Sequence, residues 1–376
     1  MTNSKAAVYL DYNATAPLRP EAIAAVNAAM AAPHNASSVH SHGRAAHKMI
    51  EDARVQIAAL VNCPPAQVIF NSGATEGNNT VLKYFVDQRI LVSAIEHPSV
   101  LEAASAAEKI PVDKNGLVDL NALETLLKAK KTALVSVMLV NNETGVIQPV
   151  DKISALAKKH GAFFHCDAVQ AAGKIAIDMS PGHIDFLTLS AHKLGGPQGA
   201  GALCLGLCGV TPTLLDGGGQ EKKARPGTQN TASIAGFGAA AALALRDLSR
   251  LATHTTTLRD ILENALRKIN NDIIIHSSQA PRVPNTTLFS LPHASSETLL
   301  MAFDLEGIAL SNGSACASGS VKPSHVLKAM SADSAGTIRV STGWASTESD
   351  IENFLAAFEK ITARMSRKAA PERKNA

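Results

Sequence analysis

The sequence lacks the features of a membrane-spanning protein and of a protein that coats nucleic acid. Its 376 residues carry 35 Lys and Arg against 32 Asp and Glu, a formal net charge of +3, so there is no strong basic excess. The longest weakly polar stretch, residues 232–245, is shorter than the roughly 20 residues that a helix needs to span a bilayer. We therefore predict a buried core helix there, and neither a membrane nor nucleic acid as a direct partner.

Paired cysteines are missing as well. The five cysteines stand at positions 63, 166, 204, 208 and 316, an odd number without the spacing of a disulfide framework. Cys204 and Cys208 have no further ligands at metal-binding spacing, so no metal site is predicted. The apolar run before Asp11 is too short for a signal peptide. These absences favour a reduced, cytoplasmic setting.

What the sequence does contain is an alternation of strand and helix patterns, without internal repeats. Helical patterns such as residues 150–160 separate short runs that are rich in β-branched residues. This alternation predicts an α/β fold with a largely parallel sheet and helices on both faces. In such sheets ligands bind beyond the carboxyl ends of the strands. The predicted strands are residues 68–71, 90–95, 133–140, 162–167, 186–190 and 202–205.

The pattern changes after about residue 250 and indicates a second, smaller α/β domain. Amphipathic helices are predicted at residues 254–269 and 351–361. Strand-like pieces at 273–276 and 286–290 and a loop rich in Ser, Gly and Ala at 311–320 lie between them. The predicted units are a large domain at 16–250, a small domain made of 1–15 and 251–364, and a basic, flexible tail at 365–376.

Lys193 and Asp167 both follow the pattern of a buried strand, and together they point to pyridoxal 5'-phosphate (PLP). Lys193 lies in a glycine-rich turn, where desolvation is expected to lower the pKa of its amine and yield the neutral form that a Schiff base requires. Asp167 would keep the pyridine nitrogen protonated, so that the ring can accept the electrons of a carbanion. Taken alone, Lys193 could be a solvated turn residue and Asp167 a helix cap. The combination favours a PLP enzyme.

A further polar element, made of Gly73, Ala74 and Thr75, follows the first predicted strand. A glycine turn that opens a helix offers backbone N–H groups and a hydroxyl to a phosphate, although many such turns bind nothing. Nucleotide fingerprints are missing, because there is no Walker pattern and no Gly-x-Gly-x-x-Gly in the first strand–helix unit. His97 follows the next strand and could stack on a flat ring or be an ordinary turn residue. These residues are compatible with the phosphate and ring of PLP.

Jointly, the motifs resemble the PLP-dependent cysteine desulfurases of the nitrogen-fixation and iron–sulfur-cluster type, in the class-V aminotransferase superfamily of fold type I. The matches follow the family order and cover nearly the whole chain. The resemblance implies a large domain with a mostly parallel seven-stranded sheet, a smaller C-terminal α/β domain, and a homodimer. The matching segments are residues 9–17, 35–44, 73–76, 96–97, 141–145, 165–170, 190–193, 225–228, 313–318 and 338–341.

The resemblance also implies a role for each matching side chain. Lys193 would hold PLP through a Schiff base and move a proton at the substrate α-carbon, while His97 would stack on the ring. Arg339, which could otherwise be structural, would clamp the substrate carboxylate. The other implied contacts are Asp167 with the pyridine nitrogen, Gln170 and Asn142 near the ring hydroxyl and the substrate, Gly73, Ala74, Thr75, Ser190 and His192 with the phosphate, and Thr228 with the phosphate of the partner subunit.

Cys316 is implied as the nucleophile that takes sulfur from L-cysteine. It lies in a small, polar stretch unsuited to a core strand, so an exposed and mobile thiol is expected. An ordinary thiol with a pKa of about 8.5 is only ~3% thiolate at pH 7, so this chemistry needs a lowered pKa or a nearby base. The implied products are L-alanine and a Cys316 persulfide, whose sulfur passes to an acceptor protein such as an iron–sulfur scaffold or a sulfur relay. The thiols of Cys166, Cys204 and Cys208 are expected to be inert.

Three places depart from the usual family pattern. Residues 34–36 are His-Asn-Ala where Gly-Asn-Pro is frequent, Lys322 replaces a frequent Glu, and Trp344 replaces a frequent Arg. None of these changes removes a catalytic group, and Lys322 and Trp344 are candidates for altered docking of the acceptor. The alternatives are a selenocysteine lyase, another class-V aminotransferase, which would not need Cys316, and a PLP-binding scaffold without catalysis, which the intact site residues disfavour.

Overall fold

The structure is a computed structural model that describes residues 7–33, 35–313 and 323–369, with side chains as far as residue 365. His34, Cys316 and Lys322 lie outside the described residues. The helices are α1 (Pro20–Met30), α2 (Ser41–Val61), α3 (Ala74–Tyr84), α4 (Pro98–Leu101), α5 (Leu120–Ala129), α6 (Val150–Lys159), α7 (Thr231–Arg246), α8 (Leu248–Ile269), α9 (Ser296–Leu305), α10 (His325–Ala329) and α11 (Glu348–Ala369). The strands are β1 (Val8–Tyr9), β2 (Val68–Asn71), β3 (Ile90–Ser93), β4 (Glu108–Ile110), β5 (Leu134–Ser136), β6 (Phe163–Asp167), β7 (Phe186–Ser190), β8 (Gly201–Leu205), β9 (Ile274–Ile275), β10 (Thr286–Ser290), β11 (Ile308–Ala309) and β12 (Thr337–Ser341).

The largest sheet in the described residues has seven strands in the order β2-β8-β7-β6-β5-β3-β4. The neighbours from β4 to β7 are parallel, whereas β8 is antiparallel to both β7 and β2. The predicted α/β fold with a mostly parallel seven-stranded sheet is therefore confirmed. The sequence pattern missed β4, because this edge strand is only three residues long and Glu108 and Lys109 are exposed.

The strand directions bring several loops to one edge of this sheet. Since β2 and β7 are both antiparallel to β8, they run the same way, and β3, β5 and β6 are parallel to β7. The carboxyl ends of these five strands therefore meet at the same edge. This edge is where the fold class predicts a ligand site.

The buried apolar side chains include two large hydrophobic cores. One core draws its buried side chains from residues 22–244 and from Val283, and the other from Val8, Leu10 and residues 258–361. A smaller cluster brings together Ile95, which follows β3, Leu288 on β10, and Val326, Leu327 and Met330 on or next to α10. The domain boundaries stay a prediction. The last helix continues to Ala369, so it includes the first residues of the segment predicted as a tail.

A strained loop is fixed beside the edge strand β2. Glu221, Lys222 and Lys223 have φ angles of 46°, 56° and 71°, a region that costs free energy for residues other than glycine. The carboxylate of Glu221 accepts hydrogen bonds from Nη1 and Nη2 of Arg54 at 2.8 and 3.0 Å, and from the backbone N–H of Phe70 at 2.9 Å. This buried ion pair holds the chain just before the 225–228 motif.

Candidate active site

The carboxyl edge of the sheet borders a cavity of about 460 Å³, within the usual volume range of small-molecule sites. Thr228 is exposed and lies against a different cavity, which it shares with Ser72 and Arg225. Cys316 lies outside the described residues. The other predicted site residues all line the 460 Å³ cavity: Gly73, Ala74, Thr75, His97, Asn142, Asp167, Gln170, Ser190, His192, Lys193 and Arg339.

The amine of Lys193 is held by the N-terminal segment of the chain. Strand β7 ends at Ser190, and a short 3₁₀ turn, Ala191–Lys193, carries the lysine into the cavity. Its Nζ donates to the backbone carbonyls of Asn13 and Ala14, both at 2.6 Å. The sequence did not single out Asn13, which is buried and also lines the cavity.

Asp167 is a buried carboxylate at the end of β6. It accepts from the backbone N–H of Val169 at 3.0 Å, as a cap would, and from Nδ2 of Asn78 at 2.8 Å. Asn78 lies on α3, is fully buried, and was not found by the sequence patterns. These two hydrogen bonds fix the orientation of the Asp167 side chain at the cavity.

His97 presents a flat ring to the cavity. Its Nδ1 accepts from the backbone N–H of Ser99 at 3.1 Å and lies 2.8 Å from the Ser99 hydroxyl oxygen, so the residue caps the short helix α4. Burial lowers the pKa of His97, with Asp167 acting in the opposite direction. A neutral imidazole fixed by its Nδ1 is suited to stacking on an aromatic ring.

One end of the cavity is rich in hydrogen-bond donors. Gly73 has a φ of 145°, and no heavy atom outside its own neighbourhood would lie within 4 Å of a Cβ placed there, so a ligand can approach this backbone closely. Helix α3 starts at the next residue with no side-chain cap, and Thr75 lies in its first turn. Ser190 and His192 line the same cavity. Burial lowers the pKa of His192 to about 4, with Lys193 adding to the effect, so this imidazole is neutral.

An ion pair connects this donor-rich turn to the 225–228 motif. Nε of Arg225 donates to Oε1 of Glu76 at 2.8 Å, while Oε2 of Glu76 accepts from the backbone N–H of Ser72 at 2.9 Å. The side-chain hydrogen bonds from Arg225 and Ser72 outweigh burial and lower the pKa of Glu76. The Glu76 carboxylate therefore connects the turn at residues 72–75 to the loop that contains Arg225 and Thr228.

Arg339 lies on β12, is almost fully buried and lines the cavity. Nη2 donates to Oδ1 of Asp11 at 2.7 Å, and Nη1 donates to the carbonyl of Asn142 at 2.9 Å. Its Nε is buried and has no partner among the described residues. A buried donor without a partner is costly, so this guanidinium is suited to an anionic ligand. The sequence did not predict that Asp11 would occupy one of its nitrogens.

Glu96 is a buried acid directly behind His97. Its Oε1 accepts from the Ser93 hydroxyl at 2.5 Å and from the backbone N–H of Met138 at 2.7 Å. Its Oε2 has no partner within the described part of the chain. Burial raises the pKa of Glu96 to about 8, so the folded protein holds this group protonated at neutral pH.

The raised pKa predicts how stability depends on pH. Between about pH 5 and pH 8 the unfolded chain ionises Glu96 while the folded protein keeps its proton, so the contribution of this group to stability falls as the pH rises. Glu96→Gln keeps an acceptor for Ser93 and removes the titration. We expect its unfolding temperature to rise relative to wild type by several degrees over this interval. Thermal unfolding at a series of pH values checks this, with the exposed Glu102→Gln as control. A constant difference between variant and wild type would contradict it.

The other described thiols lie away from the cavity lining. Cys166 and Cys204 are fully buried, and Cys208 is half-buried. Burial raises the pKa of Cys166, and both the hydrogen bond to Cys63 and burial raise the pKa of Cys204. The same contact lowers the pKa of half-buried Cys63. Among the described residues no three His, Cys, Asp or Glu side chains come together as a metal ion would need.

No helix in the described ranges is both long and apolar enough to cross a membrane.

Trp344, one of the departures from the family pattern, is half-buried rather than free at the surface. Its Nε1 donates to the carbonyl of Pro17 at 3.1 Å, and the Arg19 guanidinium carbon lies 5.6 Å from its ring centroid. Trp344 therefore packs against the N-terminal segment, and an effect on docking stays a prediction.

This chain is similar in sequence and in fold to known proteins. The family Aminotransferase class-V matches residues 8–354. The chain is 37% identical over 378 residues to "Cysteine desulfurase IscS" of Dictyoglomus turgidum, covering 96% of each protein. It is 39% identical to "Cysteine desulfurase, mitochondrial" of Saccharomyces cerevisiae, over 93% of this chain and 74% of that protein. The X-ray structure of a NifS-like protein from Rickettsia africae aligns with a TM-score of 0.89 and 38% identity, over 95% of this chain and 99% of that one.

The matched structure agrees with the α/β fold described above. The chain belongs to the class-V aminotransferase family and, within it, to the group of the cysteine desulfurases. Enzymes of this family depend in general on PLP. The resemblance predicted from the sequence motifs is confirmed.

Proposed function

We propose that this chain is a cysteine desulfurase that binds PLP in the 460 Å³ cavity, converts L-cysteine to L-alanine and passes the sulfur to an acceptor protein. The observation that carries the proposal is the convergence of three side chains on one cavity: Asp167 from the end of β6, Lys193 from the turn after β7, and Arg339 from β12. An amine, a carboxylate and a guanidinium in one enclosed site are the groups that amino-acid chemistry with this cofactor requires.

The residues around the cavity fit PLP at each of its ends. Gly73 leaves the backbone open at the donor-rich end, where Thr75, Ser190 and His192 would hold the phosphate. His97 would stack on the ring, and Asp167 would pair with the pyridine nitrogen. Bound PLP would supply an electron sink for the substrate α-carbon.

The chain's own residues then account for the remaining chemistry. Arg339 would bind the substrate carboxylate through the Nε that has no other partner in the described structure. Lys193 would remove the α-proton and later return a proton. The thiolate of Cys316 would attack the substrate sulfur, so that an S–S bond forms as the C–S bond breaks. The electron pair of the C–S bond stays with the substrate carbon, which takes a proton and becomes the methyl group of alanine, so no external oxidant is needed.

We further propose a homodimer in which Thr228 serves the partner subunit. Thr228 is exposed and does not line the 460 Å³ cavity of its own chain, which supports this arrangement. The sulfur acceptor is proposed to be a protein that takes a persulfide sulfur, such as an iron–sulfur scaffold or a relay protein.

The proposed function is tested by measuring products. The purified protein with PLP, L-cysteine and a thiol reductant should form L-alanine and sulfide in equal amounts. Without reductant, each chain should gain the mass of one sulfur atom at Cys316. L-selenocysteine in parallel separates the lyase alternative, which predicts release of selenium from selenocysteine but no sulfide from cysteine. A keto acid in place of alanine would indicate an aminotransferase and would overturn the proposal.

A further inference from the structure

Lys174 is a lysine beside the cavity to which neither the sequence motifs nor the proposed mechanism gives a role. It follows the segment after β6 and is half-buried. Its Nζ donates to Oδ1 of Asn13 at 2.8 Å and to Oε1 of Gln170 at 2.5 Å. Burial lowers the pKa of Lys174 well below its ordinary range, and the charges of Lys193 and Arg339 add to this effect. Lysine is rarely enclosed in this way unless its donors are used.

Both partners of Lys174 are connected to the reacting groups. The carbonyl of Asn13 accepts from Nε2 of Gln170 at 2.8 Å and from Nζ of Lys193 at 2.6 Å. Nδ2 of Asn13 donates to the carbonyl of Asn142 at 3.2 Å. Asn13 is therefore shared by the amine that would move protons and by two residues that line the cavity.

Because Lys174 can only donate hydrogen bonds, it affects the orientation of the side-chain amides of Asn13 and Gln170. An amine or ammonium group held in this position offers donors to both neighbours, so the amide oxygen of Gln170 turns toward Lys174, as does that of Asn13. The Asn13 amide is also fixed by Asn285, which donates to its Oδ1 at 3.2 Å, and by Thr286, which accepts from its Nδ2 at 2.9 Å. The NH₂ of Gln170 is then left to face the Asn13 carbonyl and the cavity. Without Lys174, Oε1 of Gln170 loses the partner that fixes it, and the amide can flip to present an acceptor to the cavity instead.

We infer that Lys174 is a positioning residue that orients the Gln170 amide toward the cofactor. This inference rests on the proposed function, because it concerns the same cavity. Asn13 has further hydrogen bonds to Ser341, Thr286 and Asn285, so the loss of Lys174 acts chiefly on Gln170.

The test compares Lys174→Met, which removes the donors at similar length, with Lys174→Arg, which keeps them. We expect Lys174→Met to lower kcat for alanine formation about tenfold and to change the KM for L-cysteine much less. The dissociation constant of PLP from the apoprotein, measured by fluorescence, should rise about tenfold. Lys174→Arg should recover most of both losses. The exposed Lys152→Met on α6 serves as the matched control and should behave as wild type.

The outcomes separate a positioning role from a structural one. A structural role predicts a lower unfolding temperature of the apoprotein for Lys174→Met with unchanged kcat and PLP affinity in the folded fraction, and this result would overturn the inference. If Lys174→Met does not fold, Lys174→Leu replaces it, because leucine also has no hydrogen-bond donor. Equal kinetics for the Leu and Arg variants would also overturn the inference. Should wild type make no alanine, the proposed function fails, while the PLP-affinity comparison still tests Lys174.

Discussion

Replacing Lys193 by alanine is expected to lower kcat for alanine formation roughly 10³- to 10⁴-fold. The amine lies at the cavity, 2.6 Å from the carbonyls of Asn13 and Ala14, and alanine leaves no group there that can move a proton. Lys174 cannot take its place, because both amide oxygens beside it hold its Nζ. The rate of alanine formation measures the loss. Reduction with borohydride followed by mass spectrometry should find PLP attached to wild type at Lys193 and not to Lys193→Ala.

Two controls make this result specific to the amine. Lys152→Ala, on the exposed face of α6, should keep wild-type activity and the attachment at Lys193. Added methylamine should restore part of the activity of Lys193→Ala, since a small amine can enter the space that the side chain vacates. A variant that retains more than about a tenth of wild-type kcat would contradict the assigned role, because a lost general base costs at least about a hundredfold.

Several candidate site residues could be predicted from the sequence because the ends of the apolar strands are easy to recognise in it. Asp167 and Lys193 each follow an apolar run, and the turn at Gly73 follows another. In a sheet whose strands run the same way, the carboxyl ends have to share one edge, so residues far apart in the chain meet there. The sequence pattern and the fold class together were enough to predict that Asp167, Lys193 and the turn at Gly73 lie at one cavity.

The residues that the sequence missed depend on packing between distant segments. Asn78 supports Asp167 from the middle of a helix, and Asn13 reaches Lys193 from the N-terminal segment. Neither lies at a predicted strand end, so only the folded arrangement reveals the contact. The end of α11 is a similar case, because Lys360 and Arg364 both pair with Glu306 at 2.6 and 3.2 Å. These ion pairs lie just before the segment that the basic composition alone had assigned to a tail.

Thr228 is a predicted site residue that lies outside the cavity of its own chain. Its exposed position beside Ser72 and Arg225 places it next to the donor-rich turn but outside the cavity. Thr228 therefore does not line the 460 Å³ cavity of its own chain, and its contact with the phosphate of a partner subunit stays a prediction.

Replacing Cys316 by alanine is expected to reduce sulfide release from L-cysteine to below about 1% of wild type, because the sulfur then has no thiol to accept it. PLP binding should be unchanged, since the cavity residues remain. The carbonyl of Gly313, the last described residue before the segment that contains Cys316, lies 3.5 Å from Nη1 of Arg339. Sulfide and alanine assays check this, together with the absorbance of bound PLP.

Cys63→Ala is the matched control for this experiment, because Cys63 is the strongest rival among the described thiols. The hydrogen bond with Cys204 lowers its pKa, and a larger thiolate fraction alone would make it the better nucleophile. However, Cys63 follows the end of α2 and does not line the 460 Å³ cavity, so its thiolate has no access to the substrate sulfur. We therefore expect Cys63→Ala to release sulfide at the wild-type rate. Normal sulfide release by Cys316→Ala, or its loss in Cys63→Ala with PLP still bound, would mean that access to the cavity does not select the nucleophile and would reject the proposed sulfur transfer.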